Sequence, residues 1–144
     1  MGALLIFGFI VLALIIGIAL IACNQTMSIP CAGMTTGSGY MTIPKIRLRG
    51  HKFVYADCDD PNGMWKTGDI LIVKPAVYTK DNYYVFVKYD HTGAVPFYPY
   101  ARIAKCKECG HGNRPVFDHT IGSEYDCYGM IVGVRVNGIN MIYK

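Results

Sequence analysis

The first 22 residues, MGALLIFGFIVLALIIGIALIA, constrain the chain more than any other stretch. From Ala3 to Ala22 every residue is apolar or glycine. Twenty residues rising 1.5 Å each span about 30 Å, the thickness of a bilayer core. A buried helix of a soluble protein keeps a polar face, and this one has none. A cleaved signal peptide needs a basic leading region and an apolar stretch of roughly 7–15 residues. Here the leading region lacks Lys and Arg and the apolar stretch is longer. The segment therefore predicts a retained, single-pass transmembrane helix over 1–22 that places the lipid bilayer among the partners. Leu20-Ile21-Ala22-Cys23 also has the form of a lipobox, which would lipidate Cys23 after cleavage.

Charge is segregated. Residues 1–44 contain no Asp, Glu, Lys, Arg or His, so all 14 basic and 10 acidic residues lie from Lys45 onward. The basic residues alternate with acids and form no run, which argues against a nucleic-acid partner. No DNA-binding helix pair is visible either. Lys45, Arg47, Arg49 and Lys52 lie too far from the anchor for the positive-inside rule to orient it. Six cysteines in so small a domain lean towards an oxidising compartment, and so towards a soluble part on the extracytoplasmic side.

Residues 23–44 are uncharged and rich in Gly, Thr and Ser, with breaks at Pro30 and Pro44, and read as a linker or a loosely structured edge. Asn24-Gln25-Thr26 is a glycosylation sequon set against the membrane, where it would stand idle. Residues 45–144 read as one small domain. HKFVYA (51–56), DILIVKPA (69–76), NYYVFVKYD (82–90) and YARIAK (100–105) are β-type, and residues 128–144 form two β-type runs across Asn137-Gly138, a hairpin turn signal. His91-Thr92-Gly93 marks a further turn. No segment beyond residue 45 has helical periodicity over a helix length. The fold class is thus mainly β: a single N-terminal transmembrane helix followed by a small, mostly antiparallel β-domain. Eleven tyrosines and one tryptophan suit half-buried strands and an adhesive surface.

Three separated pieces give the domain a resemblance. Ala56-Asp57-Cys58-Asp59-Asp60-Pro61 is followed by Gly68-Asp69-Ile70-Leu71-Ile72-Val73. Tyr100-Ala101-Arg102-Ile103 comes after a strand at 83–89. Gly129-Met130-Ile131-Val132-Gly133-Val134 closes the series, with Asn137-Gly138 behind it. In this order and spacing the pieces resemble the LexA-type self-cleaving repressor peptidase domain, whose β-fold is shared with type I signal peptidases. Upstream, Ile29-Pro30 and Thr36-Gly37 resemble the segment that carries the self-cleavage bond. The N-terminal anchor suits the signal-peptidase branch. The resemblance covers residues 29–140 and implies a Ser nucleophile in the Ala56–Pro61 piece and a Lys base in the Tyr100–Ile103 piece.

Both places are changed. Cys58 stands at the Ser place and Ala101 at the Lys place, while Arg102 remains. A thiol near pKa 8.5 needs a base or cation to become a nucleophile. Asp57, Asp59 and Asp60 surround Cys58 with charge that works the other way, and a guanidinium is no general base. Lys88, Lys105, His51 and His91 are the substitutes a different register would offer. Two functions follow. The first is a non-catalytic, membrane-anchored domain that binds other membrane or assembly proteins, self-association included. The alternative is a membrane-bound signal-peptidase-like or self-processing peptidase using Cys58.

Cysteine has a second use. Cys106 and Cys109 have CxxC spacing with His111 beside them, and Cys127 lies further on. Three readings stay open: a disulfide from Cys127 to Cys106 or Cys109, free thiols, or a zinc site of Cys106, Cys109, Cys127 and His111. Without a second CxxC, the chain is expected to need no cofactor. Asp118-His119 beside Ser123-Glu124 reads as a solvated loop rather than a hydrolytic pair, and the acidic residues at 57–60 match no calcium loop.

Overall fold

A computed structural model describes residues 25–91, 98–110 and 113–144. The expected helix over 1–22, Cys23, most of the turn at 91–93 and His111 lie outside the described residues. Nine strands are described: β1 (Thr26–Gly33), β2 (Tyr40–Pro44), β3 (Lys52–Ala56), β4 (Ile70–Lys74), β5 (Tyr83–Asp90), β6 (Tyr98–Gly110), β7 (Asn113–Phe117), β8 (Asp126–Val136) and β9 (Ile139–Ile142). The described residues are mainly β, and no helix among them is long and apolar enough to cross a membrane.

The chain divides into two compact units, residues 1–27 with 42–47, and residues 28–41 with 48–144. In the first, Lys45 N–H donates to Gln25 O at 3.0 Å and Ile46 N–H reaches Met27 Sδ at 3.4 Å. The second is a small closed barrel. Its strands run β1-β3-β4-β8-β5-β6, and β6 returns to β1. The four internal pairings from β3 round to β6 are antiparallel. Only β1 pairs in parallel, with Ala32 opposite Ala56 on β3 and opposite Ala101 on β6.

Closing a barrel of this size leaves little room inside, and the residues there are small or branched. Ala32, Val54, Ala56, Leu71, Val85, Val87, Ala101 and Ile103 share one buried cluster, capped by Trp65 and Tyr83. The opposite face of β5 and β6 carries a second cluster of Tyr84, Phe86, Ala104 and Cys106, covered by Tyr78, Phe117 and Tyr125. β5 is therefore buried on both faces, which is why it reads as a continuous apolar run rather than an alternation. The β8–β9 turn has φ of 51° at Asn137 and 77° at Gly138, the left-handed pair that Asn-Gly favours.

The stretch read as linker differs from that expectation. It contains β1 and β2, and β1 closes the barrel. Ile29, Cys31 and Ala32 are buried, so their lack of charge reflects burial and not a connector. Gly37 secures the closure. Its carbonyl accepts the Ala101 N–H at 2.9 Å, and a Cβ there would lie 2.4 Å from Ala101 O, so only glycine lets the backbone approach β6 this closely.

Candidate functional site

The loop from Asp57 to Asp69 leaves β3 and enters β4, and hydrogen bonds at its neck hold its ends together. Gly68 N–H donates to Ala56 O at 2.8 Å, Ala56 N–H to Asp69 O at 2.9 Å, and Asp57 N–H to Ala32 O at 2.8 Å. Asp59 and Asp60 are occupied within this loop and its support. Asp59 Oδ1 accepts from Thr67 N–H at 2.7 Å and from the Thr67 hydroxyl at 2.9 Å. Asp60, 5% exposed, accepts from Met64 N–H at 3.1 Å and from the Tyr83 hydroxyl at 2.7 Å. Asn62 donates to the same hydroxyl at 3.2 Å. A buried carboxylate with several donors is stable without a metal, so the cluster is explained by the loop it ties.

Trp65 anchors the loop. It is 2% exposed, its indole N–H donates to Cys58 O at 3.0 Å, and its ring meets Tyr83 edge-on with centroids 4.9 Å apart. Cys58 is half-buried against this core. Burial raises its thiol pKa most. The Met34 backbone and Trp65 pull it back, and Asp57 and Asp59 raise it further. The net direction is upward, and none of these four neighbours is a cation. Asp59 goes the other way. Its carboxyl is held below the usual range by the Thr67 backbone first and the Thr67 hydroxyl second.

The contacts found for Arg102, Lys88, Lys105 and His51 are with groups other than the Cys58 thiol. Ala101 is fully buried inside the barrel. Arg102 points to the opposite face, with its guanidinium carbon 5.4 Å from the Tyr125 ring. Lys88 Nζ lies 5.1 Å from the Tyr100 ring, and Lys105 Nζ lies 5.8 Å from that of Tyr83. His51 Nδ1 donates to Arg49 O at 2.9 Å. His119 Nε2 lies 3.8 Å from Asp118 Oδ2 in the region read as a loop.

The five described cysteines are unbridged thiols. Cys106 is buried on β6 and its pKa is raised, chiefly by burial and then by Cys109. The Tyr78 hydroxyl is pushed up to about 12, by burial first and then by its hydrogen bond with Cys127. Among the described residues no three His, Cys, Asp or Glu are arranged to hold a metal ion. The differing burial predicts an order of reactivity. Iodoacetamide at pH 7.5 should modify exposed Cys127 first, while Cys31, Cys58 and Cys106, all raised in pKa, lag by at least about tenfold. Mass-spectrometric peptide mapping over time reads this directly. Early labelling at Cys58 would mean that its thiol is activated.

A scan against known protein families, a search of curated proteins and a search of solved structures each returned no match.

Proposed function

We propose that the chain is a membrane-anchored β-domain that acts through protein–protein contact, as a component of a membrane-associated assembly, and not as a peptidase. The observation that carries this reading is the pair Cys58 and Ala101. The thiol is biased towards its neutral form by burial and two aspartates, and the place that the LexA and signal-peptidase resemblance gives to a Lys base is a buried alanine. Amide hydrolysis needs an activated nucleophile, a proton path to the leaving nitrogen and an oxyanion hole together. β9 supports the contact role. Ile139, Met141 and Ile142 on it are all more than half exposed, on a strand whose described partner is β8 alone. A strand of this kind offers both backbone and apolar contacts to another chain.

The test uses the full chain with residues 1–22, reconstituted in vesicles and incubated with candidate membrane substrates beside a Cys58→Ala control. The expected result is the same fragment pattern for both. Fragments that need Cys58 would establish the peptidase reading instead.

A further inference from the structure

On the outer face of the barrel, a cavity of about 260 Å³ is lined by Thr35, Thr36, Ser38, Tyr100, Arg102 and Tyr125, with Gly37 at its back. Two elements build it. β6 places Tyr100 and Arg102 two residues apart, so both project to the side opposite the buried Ala101 and Ile103. The turn after β1 supplies the hydroxyls, pinned to β6 by the bond from Ala101 N–H to Gly37 O and by the bridge between Ser38 and Tyr100. β5 adds a second cation behind the wall. Lys88, opposite Tyr100 in the ladder, lies 5.1 Å from the Tyr100 ring and 5.4 Å from the Tyr125 ring. Arg102 lies at 5.4 Å from that same Tyr125 ring.

We infer that this cavity binds an oxyanion, a carboxylate or phosphate group of a ligand, on Arg102 with Lys88 adding charge and the Thr35, Thr36 and Ser38 hydroxyls completing the hydrogen bonds. Cations resting on aromatic rings are often only surface packing. Two observations set this pair apart. Both lie 5.4 Å from the centroid of one ring, that of Tyr125, at the edge of a concave site. The ion pair found among the described residues joins His119 to Asp118, and neither cation belongs to it. Glu124 and Asp126, which flank Tyr125 in sequence, are exposed, and the Glu124 carboxyl lies against Gly122. A guanidinium offers a planar fork of donors that matches both carboxylate and phosphate, and an adjacent ammonium strengthens the field without fixing geometry. The inference is independent of the proposed contact function and of the state of Cys58.

The experiment is a titration of the isotope-labelled full chain in detergent, followed by amide NMR, with acetate, inorganic phosphate, and chloride at matched ionic strength. Saturable shifts confined to residues 35–38, 100–102 and 125 are expected with phosphate, acetate or both, and not with chloride. Which oxyanion saturates identifies the source class. Arg102→Gln should weaken the affinity at least about tenfold and Lys88→Gln about two- to fivefold. Arg135→Gln, at an exposed arginine bonded to Asn140, should leave it unchanged. Added salt should weaken binding. Shifts that never saturate, that spread equally to Arg135, or that persist at wild-type affinity in both Arg102→Gln and Lys88→Gln would overturn the site.

Discussion

Ala101→Lys should leave the domain largely unfolded at pH 7. Ala101 has no exposed surface, shares the barrel interior with Ala32, Val87 and Ile103, and lies opposite Ala32 across the parallel β1–β6 contact that closes the ring. Added methylenes in a packed core cost about 1–3 kcal/mol. The ammonium adds several kcal/mol more, because the cluster that surrounds position 101 is hydrophobic. Together these rival the whole stability of a small domain, roughly 5–15 kcal/mol. Urea titration followed by Trp65 fluorescence measures the loss, with Ala101→Val as the volume control. The two causes separate by pH. A buried lysine has a depressed pKa, so the unfolded chain binds more protons and the variant should gain stability as pH rises from 7 to 10. Ala101→Val should show no such gain. An Ala101→Lys variant as stable as the wild type would mean that position 101 does not face the interior. It would also return a base to the reckoning for Cys58.

That outcome bears on what the sequence could reveal. β4 and β5 were legible because their runs are apolar and β-branched, and they lie at Ile70–Lys74 and Tyr83–Asp90, close to the expected bounds. The Asn137-Gly138 turn was legible because few dipeptides accept two left-handed residues. β1 was not. Its buried positions are Ile29, Pro30, Cys31, Ala32 and Gly33, and small side chains that fit a narrow barrel look like a linker when read without their neighbours. β7 was missed because Arg114 and Pro115 sit in it, and a proline in a run argues against a strand. At the loop, the position of Cys58 between two strands was readable. The work of its aspartates was not, since Asp59 bonds eight residues ahead to Thr67 and Asp60 bonds to Tyr83 on another strand. The outer cavity depends on the β5–β6 register, which sets Lys88 beside Tyr100, and no local pattern announces it.

Trp65→Ala should cost about 3–5 kcal/mol, the usual loss for emptying a large aromatic site, with a further share from leaving Cys58 O without its indole donor. Cys58→Ala should cost far less, because the side chain is small and only half-buried, although it loses its contacts with the Met34 backbone and Trp65. This contrast separates two views of the loop. If the loop exists to present Cys58, its packing should centre on that side chain. If it is a structural knot, the stability should centre on Trp65, Tyr83 and Asp60. Tyr83 supplies the pH arm. Its pKa is pushed up to about 12 by burial first and then by the Asp60 carboxylate that accepts its proton. A raised pKa means stability that is complete below the ordinary tyrosine value of about 10 and lost as pH climbs from there through about 12. Tyr83→Phe should remove the Tyr83 part of this alkaline loss while lowering stability at pH 7, since Asp60 then keeps fewer donors. Trp65 is the chain's one tryptophan, so these comparisons are read by circular dichroism. Equal losses for Trp65→Ala and Cys58→Ala, or a wild-type alkaline transition in Tyr83→Phe, would place the stability of the loop elsewhere than in this knot.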